Sequence, residues 1–198
     1  MSSLILGSTS ARRAEYLQLL GVSFRIDCPE YDETTTAASD HALQAILDLK
    51  LTQLRQHLAQ AQSVPSDQIL LVADTLVVLD DQVLGKPLDQ ADAEQMISRL
   101  SGRCHQVHTG VRVGTMTQFS QAMVMSKVQF CTLTDKQIQA YVATGESMGK
   151  AGAYGLQGIG GALVQSLQGS VSGVIGLPLA ETYELLCQWQ VPSVLNSA

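Results

Sequence analysis

The stretch Leu4-Ile5-Leu6-Gly7-Ser8-Thr9-Ser10-Ala11-Arg12-Arg13 changes character twice in ten residues. Three consecutive apolar residues read as a short buried strand, and Gly7 to Ser10 is turn chemistry. From Ala11 onward the apolar residues Tyr16, Leu17, Leu19 and Leu20 keep helical spacing until Gly21. The unit is a strand, a turn and a helix, with Ser10 at the N-cap and Gly21 just past the C-terminal end.

Further along, Val22 to Cys28 alternates enough for a second strand, and the polar stretch Pro29 to Ser39 reads as a loop. Leu43, Ile46, Leu47, Leu51, Leu54 and Leu58 lie on one face of a long amphipathic helix. Ile69 to Ala73 is an apolar strand that delivers Asp74 and Thr75 at its carboxyl end. Leu76 to Leu79 and Val83-Leu84 flank the tight turn Asp80-Asp81-Gln82. Asp89 with Asp92 opens a helix to Leu100, closed by Gly102. Cys104 to Val113 and Ala122 to Leu133 are long strands, and a Thr134 to Gln137 capping box starts a helix through Val142. Ala162 to Leu167 is a further strand, Leu179 to Trp189 a last helix, and Val191 to Ala198 is expected to fray. Because strands and helices mix without a strict β-α-β rhythm, the pattern predicts an α/β protein. Its mixed, twisted central sheet is flanked by helices, with two lobes around a cleft and one domain over residues 1–198.

The chain has 198 residues, 45% of them hydrophobic, enough for a core that needs no staples. Twelve Lys and Arg against eighteen Asp and Glu give a net charge of −6. Nucleic acid and anionic membranes are therefore not expected as partners, and an anionic ligand must be met by a local cluster of cations. The four cysteines are widely spaced without any C-x-x-C, which fits free thiols in a reducing compartment. Residues 1 to 30 lack the basic start, apolar stretch and cleavage site of a signal peptide, so the expected location is cytoplasmic. The uncharged stretch Ala151 to Ala180 holds eight of the sixteen glycines and reads as turns and short strands rather than a membrane span.

Ser8, Thr9, Ser10, Arg12 and Arg13 bring hydroxyls, helix-start N–H groups and two guanidinium groups into one region, which is what a phosphate chain needs. The plain alternative is a serine cap with a basic first turn, but a helix dipole disfavours cations at that end. Asp74 is either a reactive carboxylate or the anchor of an Asx-turn. Glu33 could join it as a hard oxygen ligand for Mg²⁺ or Mn²⁺, ions held by one or two carboxylates together with substrate phosphates. Lys50 lies on the apolar side of its helix, and Lys86 sits in Gly85-Lys86-Pro87; each is a phosphate contact or an ordinary surface lysine.

Gly145 to Lys150 falls one residue short of a phosphate-binding P-loop and lacks the Ser or Thr after the lysine. Gly155 to Gly161 does not fit G-x-G-x-x-G, and reads instead as close backbone approach to a ligand that Gln157 could hydrogen-bond. Cys104, His105 and His108 are not a zinc set, because His105 and His108 fall on opposite faces of a strand.

Taken together these segments resemble the Maf family of nucleoside triphosphate pyrophosphatases from Leu4 to about Leu186. The likeness is carried by Ser8 to Arg13, Asp32-Glu33-Thr34, Ala73-Asp74-Thr75, Leu84-Gly85-Lys86-Pro87, Leu100-Ser101-Gly102, Thr109-Gly110-Val111, Lys150 to Gly158 and Val174 to Leu179. The resemblance implies a metal-dependent, dimeric enzyme with a deep nucleotide cleft, which releases pyrophosphate from a nucleoside triphosphate. It implies Asp74 as general base, Glu33 with Asp74 as metal ligands, and Arg13, Lys50 and Lys86 as phosphate contacts assisted by Ser8 and Ser10. Arg12, Thr75 and Gln157 resemble the dTTP/UTP branch rather than the 7-methyl-GTP branch. A non-catalytic nucleotide-binding regulator is the rival reading. The chain departs from the family pattern at Ala11, Cys131, Gly149 and Gly173, where proline, arginine, aspartate and asparagine are usual. The missing carboxylate at Gly149 bears on metal binding and on the partner of Lys150.

Overall fold

The computed structural model describes residues 4–31, 40–60 and 64–196. Three strands open the chain, β1 (Leu4–Leu6), β2 (Phe24–Ile26) and β3 (Leu70–Leu79), linked by helices α1 (Ala11–Leu19) and α2 (Asp40–Gln60). β1 lies between β2 and β3 and is parallel to both. The chain therefore steps from β1 to one side, then returns to the other. Both crossovers sharing the usual right hand puts α1 and α2 on opposite faces of the sheet. The packing agrees: Tyr16 and Leu17 of α1 cluster with Leu71 and Ala73, whereas Leu43, Leu47, Leu51, Leu54 and Leu58 of α2 cluster with Leu70 and Val72.

The rest of the sheet is antiparallel. β4 (Gln82–Leu84) forms a hairpin with β3 across Asp80 and Asp81, both at positive φ, as a two-residue turn of this kind requires. After α3 (Gln90–Leu100) come β5 (Cys104–Gly114) and β6 (Phe119–Phe130), then α4 (Asp135–Ala143), β7 (Val164–Gln168), α5 (Val171–Ile175) and α6 (Leu179–Gln188). The order is β2-β1-β3-β5-β6-β7, with β4 on β3, a seven-stranded mixed sheet. A third core cluster, with Ile97 and Leu100 of α3 and Ile138 and Val142 of α4, packs around the β4 end of β3.

The caps at α3 and α4 form as their sequences imply. Asp89 accepts from Asp92 N at 2.8 Å, and Thr134 and Gln137 complete both halves of a capping box. Ser10 occupies the N-cap of α1, but its side chain makes no cap bond.

Four expectations need correction. Asp74 is not at a strand end, because β3 runs unbroken from Leu70 to Leu79 and Asp74 pairs with Gly110 of β5. A polar pair does not stop a strand whose neighbour supplies a continuous ladder. β6 begins at Phe119, three residues early, because the Thr115 N to Gln118 O bond of 2.8 Å closes a tighter hairpin. The expectation of turns and short strands over Ala151 to Ala180 does not include α5, where Ser170 accepts from Gly173 N at 3.0 Å and Gly176, at φ 131°, ends the helix. Val191 to Asn196 is anchored rather than frayed: Val194 N donates to Leu20 O at 2.8 Å, and Val191 and Ser193 are buried.

His105 and His108 do part to opposite faces. His105, 2% exposed, packs edge-on against Phe130 and Tyr154, with Nε2 2.9 Å from the Tyr154 hydroxyl. Burial pushes its pKa down to about 4, so the folded chain keeps this imidazole neutral. Between pH 6.5 and 4 the unfolded chain binds the extra proton, and stability falls as pH is lowered through that window. The loss from this residue should reach about 3 kcal/mol at pH 4. Urea midpoints from pH 7 to 4 measure it, and His105→Leu should flatten the slope.

Candidate active site

The edge of β3 that faces β1 is paired with that strand only at Leu70 and Leu71, and with β4 only from Val77. Between them β1 has ended and the chain has turned away into Gly7 to Ser10. A window is left beside Val72 to Leu76. It lies where successive connections depart to opposite sides of β1, the place where open α/β sheets usually form a ligand crevice. A cleft of about 580 Å³ occupies it. Ser8, Ser10, Arg12, Arg13, Lys50, Asp74, Thr75, Lys86 and Gln157 all line this one cleft. Glu33 lies outside the described residues.

Strand alternation decides what each side chain meets. Asp74 shares the α2 face with Leu70 and Val72, and Lys50 of α2 donates to its Oδ1 at 3.1 Å. Arg13 comes from α1 on the opposite face and reaches the same Oδ1 at 3.5 Å, which the missing strand makes possible. Lys50 is 4% exposed and Arg13 8%. Charges so deeply buried are tolerated only when paired, and Asp74 is the carboxylate they share.

Neighbouring bonds fix the geometry. Arg13 also donates to Ser8 Oγ at 2.9 Å and to the Gly176 carbonyl at 3.0 Å, while Arg12 Nε donates to the Ile175 carbonyl at 3.1 Å. Two arginines in the first turn of α1 thus find acceptors at the carboxyl end of α5. Tyr31 donates to Gly7 O at 3.0 Å, and its ring lies 5.3 Å from Lys50 Nζ. A Cβ on Gly7 would stand 2.8 Å from that hydroxyl and 2.6 Å from Leu54, so only glycine lets the turn pass so close. Thr75 points to the other face, where Thr109 Oγ1 lies 3.0 Å from its hydroxyl and 2.8 Å from the Gly173 carbonyl. Because a carbonyl only accepts, Thr109 gives its one proton to Gly173 and accepts from Thr75.

The opposite wall comes from distant sequence. Gly152 N donates to Gly85 O at 3.0 Å, which ties the Lys86 loop to the turn that follows Lys150. Lys150 Nζ donates to the Glu146 carbonyl, which answers the question raised by the departure at Gly149. Gly149 itself is at φ 71° with open space where a side chain would start. Burial first, and then the Arg12 charge, lower the Lys150 pKa against the opposing pull of Glu146. At Gly173, a Cβ would come within 2.9 Å of Val124, so the usual asparagine would need that neighbour to move.

Among the described residues, five cations, Arg12, Arg13, Lys50, Lys86 and Lys150, line the cleft with three carboxylates, Glu15, Asp74 and Glu146. These described side chains sum to a positive charge in a chain of −6, the kind of local cluster an anionic ligand demands. The donor set also fits a divalent cation of the kind that takes substrate phosphates as ligands. Both cations address Oδ1 of Asp74, leaving Oδ2 as a hard oxygen donor. No cluster of three or more ligating side chains is found among the described residues.

Sequence reasoning missed Glu146 and gave Tyr31 and Lys150 no separate role. The signal for Glu146 was available: it is the last carboxylate before a long uncharged, glycine-rich stretch full of backbone donors.

No helix among the described residues is long and apolar enough to cross a membrane. The Maf-like protein family matches residues 3–189. A dTTP/UTP pyrophosphatase of Pasteurella multocida is 46% identical over 186 residues, covering 91% of this chain and 92% of that protein. One of Symbiobacterium thermophilum is 45% identical over the full length of both, and one of Escherichia coli O157:H7 is 44% identical over 94% of this chain and 92% of its own. A match over nearly the whole chain, together with a cleft that gathers the motif residues, places this protein in the Maf-like family.

Proposed function

We propose that this protein hydrolyses nucleoside triphosphates, dTTP and UTP foremost, to the monophosphate and pyrophosphate. The observation that carries the reading is Asp74 held between Lys50 and Arg13 inside a cationic cleft. Water attacks the α-phosphorus, forming one P–O bond while the bond to the β-phosphate oxygen breaks and its electron pair leaves with pyrophosphate. Asp74 takes the proton of the attacking water. Lys50 and Arg13 hold the carboxylate in place and offset charge that grows on the phosphoryl oxygens. Arg12, Lys86 and the start of α1, with Ser8 and Ser10, receive the phosphate chain; the uncapped helix end suits that task because its N–H groups still need acceptors. A divalent cation, Mg²⁺ or Mn²⁺, held by Asp74 and Glu33 with the phosphates, would supply further Lewis-acid neutralisation of charge.

Gln157, exposed at the cleft, addresses the base. Its amide donates to a pyrimidine carbonyl and accepts from N3–H, and leaving such groups unmatched is costly. Thr75 assists on the substrate side. The proposal takes residues 1–198 as one catalytic domain, working as a homodimer in the cytoplasm.

Pyrophosphate release from dTTP, UTP, CTP and 7-methyl-GTP, with Mg²⁺ or Mn²⁺, tests the reading. Release should be fastest from dTTP and UTP; much faster turnover of 7-methyl-GTP overturns the specificity. No release from any of them supports a non-catalytic nucleotide binder instead. Asp74→Asn should lower kcat by about 10²- to 10⁴-fold, and a variant at full rate removes Asp74 as the base.

A further inference from the structure

Glu146 presents a puzzle, being a carboxylate on the wall of a cleft that is built to hold phosphates. Like charge facing a triphosphate would be unfavourable unless the carboxylate were already satisfied. Its contacts show that it is. Oε2 accepts from Ile159 N at 2.8 Å, and Oε1 accepts from Gly160 N at 2.8 Å and from the Tyr141 hydroxyl at 3.2 Å. Burial pushes its pKa up, but the two amides, the Tyr141 hydroxyl and the Lys150 charge outweigh that and hold it below the ordinary carboxylate range. The group stays ionised and is spent on backbone donors rather than on a ligand.

What those amides belong to matters. Ile159 and Gly160 follow Gln157 by two and three residues, in a glycine-rich loop that could otherwise take many conformations. The fit is tight: a Cβ on Gly158 would lie 2.1 Å from Glu146 Oε2. Glu146 itself is fixed at the end of α4, where its N donates to Thr144 Oγ1 at 3.2 Å. Meanwhile Gln157 makes no side-chain hydrogen bond among the described residues.

A glutamine amide pairs with a base edge only where its backbone brings it to hydrogen-bond distance and angle, and a loop that wanders loses that match and the discrimination that goes with it. We infer that Glu146 is the positioning residue for base recognition, its carboxylate clamping the Ile159 and Gly160 amides so that Gln157 is presented to the base in one pose. This rests on the reading of Gln157 given above, and deepens it.

Steady-state kcat and KM for dTTP, UTP and CTP, in wild type, Glu146→Gln and Glu146→Asp, decide the matter. Glutamine keeps the length but turns an NH₂ group toward one of the two amides; aspartate keeps the charge but falls short of both. Each variant should raise KM for dTTP and UTP about tenfold and shrink the preference over CTP by a similar factor, with kcat little changed. A uniform fall in kcat with the preference intact marks a merely structural residue and overturns the inference. Should Glu146→Gln not fold, the same readout on Glu146→Asp carries the test. A wild type that shows no preference over CTP overturns the base reading itself, and this inference with it, before any variant is compared.

Discussion

Everything at the site follows from a gap in one strand's pairing. β1 stops at Leu6 while β3 continues to Leu79, so among the described residues one edge of β3 has no strand beside it from Val72 to Leu76. The sheet stays intact there because β5 supplies the ladder on the other edge, with Asp74 opposite Gly110. Had β1 been four residues longer, its backbone would fill the space where Arg13 crosses from one face to meet Asp74 on the other. The shortness of a three-residue strand is thus what allows cations from both layers of helices to converge on a single carboxylate.

That convergence sets an energetic requirement. Lys50 and Arg13 are buried among apolar residues of two different core clusters, and an uncompensated charge in such a place costs several kcal/mol. Asp74 offsets part of this, Ser8 and the Gly176 carbonyl another part. Across the described lining of the cleft, five cations stand against three carboxylates, which is the condition that makes a polyanion welcome. The surplus is local. The whole chain carries −6, so the rest of the surface repels the same ligand and the field is concentrated at the cleft.

How much of this was legible in the sequence depends on the distance over which each feature is decided. Helix α2, with leucines at 43, 47, 51, 54 and 58, and the capping box at Thr134 were readable because they are settled within a few turns. Lys50 on the apolar side of α2 looked anomalous in sequence, and the structure gives the reason in Asp74. The continuity of β3 through Asp74 and Thr75 was not readable, since it depends on β5, more than thirty residues away. α5 was hidden for a related reason. Its sequence is rich in serine and glycine, and it holds together through the Ser170 cap and the contact of Gly173 with Thr109 across the sheet.

The two walls of the cleft are built on different principles, and this bears on how substrate choice could change without loss of chemistry. The wall around Asp74 is made of long side chains rooted in α1, α2 and β3, elements whose places are set by the core. The wall around Gln157 is mostly backbone, glycine-rich and uncharged, and two of its amides donate to one carboxylate from outside the loop. Packing makes the first wall rigid and costly to alter, because Lys50 and Arg13 are buried and both meet Asp74. The second can be reshaped at a few loop positions under a constant clamp, since nothing in the core depends on their side chains: Gln157 and Ile159 are exposed. A fold with phosphate chemistry fixed on one side and base contacts carried by exposed loop side chains on the other can diverge in nucleotide preference while its reaction stays the same.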